Sequence, residues 1–349
     1  MKLNEALKTR LLEKLMQLEK SKLTDFNVVL LPDFFIDHFL TMDSFENSFN
    51  KIKEVYFQGG GNLPGIKQKI HEGGNATNTA LALAKLGINS HLICRTDQFG
   101  LHLLNYFLGK SGVDLSGVKT DGKLAITTAM EFGEKHTNVM IGDTGSVSDF
   151  SFGILDKKDL ETISNSDMTC VLNWNLNKNG TELARKTFEF AKENNVKTFF
   201  DTGDPSPRKN EIQELIRKVL ADKNLDILGV NENELLQYSD IKKNSDDDIV
   251  KAAVSLKNKM QARLDLHTAN FACTIDKKCT TIPTIKLSKI YRATGAGDAW
   301  NAGDIFADLL DFDEDERLLF ANSIAGCYIS SPEPTHSPLD TIIEFISKL

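Results

Sequence analysis

Near-continuous apolar runs alternate along this chain with stretches of helical periodicity. The apolar runs fall at 27–31, 90–94, 169–173, 197–201, 226–230 and 271–275, and the helical stretches include 76–86, 180–194, 209–222 and 247–259. Strands that are apolar throughout and separated by helices indicate a parallel sheet covered by helices on both faces. Ligands of such sheets bind beyond the carboxyl ends of the strands, so polar residues at those ends are candidates for a site.

The N-terminal segment 1–25 shows a different pattern. Leucines recur at helical spacing, with Lys and Glu between them: Leu3, Leu7, Leu11, Leu15 and Leu18. The stripe predicts an accessory helix that docks on the core or on a partner subunit. Membrane association is the alternative, but the polar face mixes both signs of charge and the apolar run of a signal peptide is missing.

A glycine turn before a carboxylate, Gly295-Ala296-Gly297-Asp298, is the most informative motif. Glycines adopt backbone dihedrals that other residues avoid, so the amides of 295–297 can form an anion-binding concavity at the start of a helix over 298–310. A carboxylate beside a phosphate repels it, unless the carboxylate takes a proton from an attacking hydroxyl. Asp298 is therefore a candidate general base. The alternative is that Asp298 only caps the helix.

Two other phosphate-binding motifs do not fit this turn. The dinucleotide fingerprint requires a third glycine at the position of Trp300. The P-loop requires Lys and Ser or Thr after its glycines, where this chain has Asp298 and Ala299.

A second glycine element lies upstream. Gly73 and Gly74 precede a small-residue helix expected over 76–86, which Gly87 ends. Asn78 is the polar exception near its start, and its amide can hydrogen-bond a bound hydroxyl. A capping or solvent-facing role is the alternative for Asn78.

Together, the two glycine elements resemble the signatures of the ribokinase-like (PfkB) carbohydrate kinase family. The residues that carry the resemblance are Gly73, Gly74, Asn78, Leu86, Gly87 and Gly295 to Asp298. The resemblance implies a three-layer α/β sandwich with a mainly parallel central sheet and a small β lid.

The same resemblance divides the chain into a core and a lid. The core would comprise 26–41, 73–122 and 142–349, and the lid 42–72 and 123–141. In relatives, lid strands also form dimer interfaces, so a homodimer through the lid is possible.

Further site residues are implied by the resemblance. Asp37 would bind sugar hydroxyls at the end of the first strand, together with Gly73, Gly74 and Asn78. Arg208 would reach phosphate or an acidic substrate through its donor fork. Asn231 and Glu234 would orient water and Mg²⁺ around the phosphates, although a helix cap and a solvated acid are the alternative for this pair. Asn322 would lie beside the nucleotide, or on a solvated helix face.

The implied activity is ATP- and Mg²⁺-dependent phosphoryl transfer to a hydroxyl of a sugar or sugar acid. Asp298 would act as the base, and the amides of 295–297 as the anion hole. A nucleoside kinase of the same fold is the first alternative, favoured if lid aromatics such as Phe45, Phe49 or Phe57 face a base. A nucleotide-binding regulatory protein without turnover is the second.

The chain departs from the family pattern at two places. Arg292 and Ala293 replace an Asp-Thr pair that helps to build a monovalent-cation site, and an arginine there would repel that cation. The segment 273–279 lacks the glycines common on the nucleotide side.

Composition agrees with a soluble cytoplasmic enzyme. The 349 residues are 41% hydrophobic, without an apolar run near the length that a membrane span requires. Five scattered cysteines fit reduced thiols, and the pair Cys273 and Cys279 lacks the second pair that a zinc site requires. A net charge of −8 argues against nucleic acid as a partner.

Overall fold

The computed structural model describes residues 4–133, 137–239 and 241–349. Its strands are β1 (Asn27–Leu31), β2 (Phe35–Met42), β3 (Lys67–Gly73), β4 (Asn89–Leu92), β5 (Ala125–Phe132), β6 (Thr137–Asp143), β7 (Met168–Leu172), β8 (Lys197–Asp201), β9 (Ile227–Asn231), β10 (Arg263–His267), β11 (Phe271–Ile275) and β12 (Cys279–Pro283). Its α-helices are α1 (Glu5–Met16), α2 (Phe45–Phe57), α3 (Asn75–Leu86), α4 (Gln98–Leu108), α5 (Lys157–Ser164), α6 (Gly180–Glu193), α7 (Ile212–Leu215), α8 (Glu232–Gln237), α9 (Asp246–Lys257), α10 (Ala296–Leu309), α11 (Glu314–Ser330) and α12 (Leu339–Ser347).

The central sheet has eight strands in the order β12-β11-β10-β9-β8-β7-β1-β4. The strands from β10 to β4 are parallel, and β11 and β12 join them antiparallel. One hydrophobic cluster lies under α1, α3, α10, α11 and α12, and a second lies under α5, α6 and α9. The expected three-layer α/β sandwich with a mainly parallel sheet is confirmed.

Strand β10 was not predicted, because charged residues interrupt its apolar pattern. Arg263 and Asp265 both lie in this strand, and Asp265 is completely buried. Burial is possible because Arg263 Nε contacts Asp265 Oδ2 at 2.7 Å and a nitrogen of Arg317 contacts the same oxygen at 3.0 Å. Paired charges can be buried where single ones cannot.

A separate four-stranded sheet has the order β3-β2-β5-β6. Strands β2 and β3 lie between β1 and α3 in the chain, and β5 and β6 follow α4. Its strand β2 begins at Phe35, so the core boundary predicted at residue 41 is too late. The segment 42–72, predicted as β lid, contains the helix α2 over most of its first half. Ser44 caps this helix by accepting from Asn47 N at 3.2 Å, and its apolar residues recur at helical spacing.

The N-terminal accessory helix is α1. Leu7, Leu11 and Leu15 are buried in the larger cluster against α11 and α12, whereas Leu3 lies outside the described residues. Arg10 fixes the contact through Glu316 at 2.6 Å. None of the helices in the described parts of the chain combines the length and apolar composition that a membrane crossing requires.

Candidate active site

The glycine turn adopts a conformation that requires glycine at its first position. Gly295 has φ +79° and precedes the first helical residue, Ala296, so the helix begins two residues earlier than expected. A Cβ on Gly295 would lie 2.8 Å from the hydroxyl oxygen of Tyr328. The first turn of a helix leaves amides without intrahelical partners, and together with the helix dipole they favour an anion here. Ala296 N also donates to the carbonyl of Ala293 at 3.2 Å.

Asp298 is the third residue of α10, and its side chain does not cap that helix. Its Oδ2 accepts a hydrogen bond from Asn78 Nδ2 at 2.8 Å, and the side chain is buried. Burial raises the pKa of Asp298 well above its ordinary value, although the bond from Asn78 acts in the opposite direction. A carboxylate with a raised pKa is a stronger base, which suits proton abstraction.

The contact between Asn78 and Asp298 joins the two glycine elements. Asn78 was predicted to bind a substrate hydroxyl, but in the structure its amide orients the carboxylate of Asp298. The N-terminal turns of α3 and α10 therefore meet at one point of the cleft.

Gly73 and Gly74 make room for two carboxylates. A Cβ on Gly73 would lie 2.3 Å from Asp37 Oδ2. Gly74 has φ +100°, and a Cβ there would lie 3.0 Å from Asp33 Oδ2. Both glycines thus permit the close approach of these two carboxyl groups.

Asp37 does not end the first core strand, as the sequence suggested. It lies within β2 of the small sheet, opposite His71 of β3 and Thr127 of β5. Burial raises its pKa to about 7, and a hydrogen bond with Thr127 opposes that shift. The small sheet, and not the core, therefore presents this carboxyl group.

The carboxylate that follows β1 is Asp33, which sequence reasoning missed. It is buried, and its oxygens accept from Asn75 N at 2.9 Å, Ala76 N at 2.8 Å and Asn173 Nδ2 at 2.6 Å. Burial raises its pKa to about 6. Asp33 fixes the start of α3, and its position directly after an apolar strand was a usable signal.

Asn231 and Glu234 form a capping box at the start of α8. The Asn231 side chain accepts from Glu234 N at 3.0 Å, and Glu234 Oε2 accepts from Asn231 N at 2.9 Å. The capping alternative is thus correct for Asn231, but Glu234 is buried and not solvated. Burial raises the pKa of Glu234 well above its ordinary value, and nearby Asp201 adds to that shift.

Two further polar residues of the site were not predicted. Asp201 ends β8, is buried, and accepts from Asn301 Nδ2 at 2.5 Å. Asn301 lies on α10, three residues after Asp298, so this bond ties the base-bearing helix to the sheet. The usable signal for Asp201 was its place at the end of the run 197–201.

His267, at the carboxyl end of β10, was not predicted either. It is paired in register with Asn231 and stacks on Trp300 with 4.9 Å between ring centroids. Its Nε2 lies 3.4 Å from the position of a Cβ on Gly297. Burial lowers the pKa of His267 to about 4, so the ring is neutral at pH 7.

Contacts within the protein hold the guanidinium of Arg208. Its guanidinium donates to the carbonyl of Trp174 at 2.7 Å and to Glu211 Oε1 at 2.9 Å, and it stacks 4.0 Å over the Trp174 ring. All three of its nitrogens bond protein oxygens. The expected role in phosphate binding is not supported, because these local acceptors hold the side chain.

Asn322 also has a structural role. Its Oδ1 accepts from Trp300 Nε1 at 2.9 Å, and its Nδ2 donates to the carbonyl of Pro283 at 3.3 Å. The side chain is buried, so the solvated-face alternative is wrong, and the nucleotide contact stays a prediction.

The described residues offer no preformed site for a directly bound metal ion. Within the described ranges, no group of three or more His, Cys, Asp or Glu side chains is arranged to hold a metal ion. The sulfurs of Cys273 and Cys279 lie 3.3 Å apart, without further ligands in that set. Both oxygens of Glu234 already bond Asn231, so these residues fit Mg²⁺ held through water and not by direct ligation.

Comparison with known proteins agrees with this geometry. The family described as pfkB family carbohydrate kinase matches residues 37–342, and the chain belongs to this family. It is therefore a phosphotransferase that acts on an alcohol group. A 5-dehydro-2-deoxygluconokinase of Clostridium botulinum is 26% identical over 272 residues, which are 75% of this chain and 79% of that protein.

Solved structures show the same fold. Arabidopsis thaliana ribokinase, complexed with ribose and ATP, has a TM-score of 0.74 at 17% identity. The superposition covers 92% of this chain and 98% of the ribokinase chain. Adenosine kinase from Sinorhizobium meliloti has a TM-score of 0.73 at 15% identity and covers 93% of this chain and 98% of its own.

Proposed function

We propose that this protein transfers the γ-phosphoryl group of ATP to a hydroxyl of a sugar acid. The observation that carries the proposal is the buried carboxyl of Asp298, which Asn78 orients beside the anion-binding turn at a helix start. The sugar-acid class is supported by the names of the Clostridium relatives.

In the proposed reaction, Asp298 accepts the proton of the acceptor hydroxyl as that oxygen attacks the γ-phosphorus of ATP. The bond from this phosphorus to the bridging oxygen breaks, and ADP leaves. Asn78 keeps the carboxylate aimed at the hydroxyl. The amides of 295–297 stabilise the negative charge that develops on the transferred group. Asp37 holds other hydroxyls of the acceptor from the small sheet.

Mg²⁺ would supply positive charge to the phosphate oxygens of ATP. Asn231 and Glu234 would hold it through water molecules. Burial raises the pKa of both Asp201 and Glu234, and a hydrated cation beside them would stabilise their ionised forms.

A panel of acceptors tests the substrate class. ADP release from Mg·ATP should be fastest with a keto-deoxy sugar acid, the class that the names of the Clostridium relatives indicate, and at least about tenfold slower in kcat/KM with the matched neutral sugar, a difference of about 1.4 kcal/mol. Turnover with nucleosides alone would favour the nucleoside kinase. ATP binding without turnover of any acceptor would favour the regulatory protein.

The lid aromatics do not favour a nucleoside. Phe45 and Phe49 pack against each other at 4.6 Å, and Phe45 packs on Phe132 at 5.4 Å. Phe57 is 72% exposed and stacks edge-on with Tyr56. Packing within the lid thus accounts for the first two rings.

A homodimer through the small sheet belongs to the proposal. Successive residues of a strand point to opposite faces, so the face opposite Asp37 is a separate surface. That surface carries exposed apolar side chains at Ile70, Ile126, Val139 and Ile141. An exposed apolar patch of this kind is typical of an interaction site, and a second copy would supply a matching apolar face.

Light scattering should give twice the mass of one chain for the wild type. Ile141→Asp should reduce it to the mass of one chain, because a charge would be buried in the interface. Val254→Asp, at an exposed apolar position on α9, is the control and should remain dimeric. A wild-type protein that has the mass of one chain at micromolar concentration contradicts the homodimer.

A further inference from the structure

Arg292 binds three backbone carbonyls at the end of α11. Its two terminal nitrogens donate to the oxygens of Tyr328 at 2.9 Å, Ser331 at 2.8 Å and Pro332 at 2.7 Å. The last carbonyls of a helix lack intrahelical partners and carry the negative end of the helix dipole. A cation is therefore favoured at this place, and here the cation is part of the chain.

The monovalent cation that the family resemblance implies does not fit this arrangement. Three converging carbonyl oxygens are suitable ligands for such an ion, but the guanidinium of Arg292 already uses all three. A second positive charge at the same oxygens would also be repelled by the first.

Tyr328 connects Arg292 to the phosphoryl-binding turn. Tyr328 lies between Arg292, whose guanidinium is 5.4 Å from the ring centroid, and His336, which stacks at 4.6 Å. The hydroxyl of Tyr328 limits the space beside Gly295. The backbone amide of Tyr291 also donates to the carbonyl of Ile329 at 2.9 Å. Residues 291–292, which precede the turn, are therefore fixed to the end of α11.

We propose that Arg292 is a positioning residue that serves as a built-in cation. It neutralises the carbonyl end of α11 and, through Tyr328, holds the turn 295–297 in its anion-binding conformation. Catalysis then requires no added monovalent cation. This inference rests on the proposed kinase activity, but its structural half can be measured without turnover.

The first test compares salts at equal ionic strength. The wild-type rate in potassium chloride should differ from that in tetramethylammonium chloride by less than about twofold. Both salts screen surface charges equally at the same ionic strength, so only specific binding of potassium would separate the two rates. Arg292→Ala should lose at least about tenfold in kcat with a smaller change in KM for the acceptor, because the turn would be misplaced. Guanidinium chloride, well below denaturing concentrations, should raise the kcat of Arg292→Ala by at least about twofold, which is a third of a tenfold loss on a logarithmic scale.

Arg10→Ala is the matched control. Arg10 binds side chains at the opposite end of the same helix, through Asp315 and Glu316. Its removal should leave kcat unchanged and insensitive to guanidinium. Arg292→Lys should retain part of the wild-type rate, because one ammonium can still bond some of the carbonyls.

The second test is hydrogen–deuterium exchange of peptides that span 291–298 and 326–333. Arg292→Ala should exchange at least about tenfold faster there than wild type, and guanidinium should slow it again. Arg10→Ala should not change these peptides. A folded Arg292→Ala protein with unchanged exchange and no rescue would overturn the inference, as would a wild type that potassium activates strongly. A wild type inactive on every acceptor, but with the expected exchange, would overturn the proposed activity alone.

Discussion

Replacing Asp298 by Asn should lower kcat by about a thousandfold, within the range that a positioned general base contributes. The amide keeps the size of the side chain and can still contact Asn78, but it accepts no proton. The KM for the acceptor should change by less than about threefold, because an interaction used only in the transition state affects kcat. Initial rates of ADP release under saturating Mg·ATP measure both constants.

Asp311→Asn is a suitable control for this variant. Asp311 follows the opposite end of α10 and has φ +50°, which Asn tolerates, so the same chemical change should leave kcat unaltered. An Asp298→Asn enzyme that retains more than about a tenth of the wild-type kcat would rule out the base assignment.

The pH profile of the wild type follows from the same residue. Burial raises the pKa of Asp298, so the carboxyl is protonated, and inactive as a base, at pH values where an ordinary Asp is ionised. The value of kcat/KM should therefore fall as pH decreases through this raised pKa, by about tenfold per pH unit on the acid side. The small remaining activity of Asp298→Asn should lack this acid limb.

Gly295→Ala should lower kcat by about a hundredfold, the size of loss that a displacement near 1 Å at a catalytic turn can cause. The positive φ of +79° costs an L-residue on the order of 1–2 kcal/mol, and the new Cβ would meet the Tyr328 hydroxyl. Either the turn or Tyr328 must therefore move.

Two companion variants separate these causes. Gly112→Ala shares a positive φ, +91°, but its Cβ would meet no atom within 4 Å, so it should cost stability without loss of kcat. Tyr328→Phe combined with Gly295→Ala should recover part of the rate, because the closest contact is with the hydroxyl oxygen. Thermal unfolding and ADP release measure the two effects. A Gly295→Ala enzyme with near wild-type kcat would show that the turn is not the anion site.

The parts of the site that the sequence predicted well are those that local chemistry determines. A glycine that needs a positive φ and a carboxylate at a helix start can be identified from their neighbours in the chain, so the turn at 295–298 was found together with Asn78. The contact of Asn78 with Asp298 was not predicted, because the two residues are distant in sequence and close only in the fold.

Tertiary contacts hold two side chains that the sequence analysis assigned to ligands. Arg208 and Asn322 were assigned to the nucleotide side from the family resemblance. In the structure, Arg208 stacks on Trp174 and donates to its carbonyl, and Asn322 bonds the indole of Trp300 and the carbonyl of Pro283. Strand β10 was missed because its charges are buried by partners on α10 and α11. Whether a polar residue binds a ligand or the protein itself depends on these tertiary contacts, which a single sequence does not contain.

Helix α11 is clamped at both ends by arginines that come from distant parts of the chain. Arg10 of the N-terminal helix holds its first turn, and Arg292 holds its last carbonyls. Two distant segments therefore contact opposite ends of α11. The accessory helix α1 contacts its start, and residues 291–292, just before the catalytic turn, contact its end. Because the two arginines contact opposite ends of α11, loss of the Arg10 contact should loosen the accessory helix and leave the phosphoryl-binding turn in place.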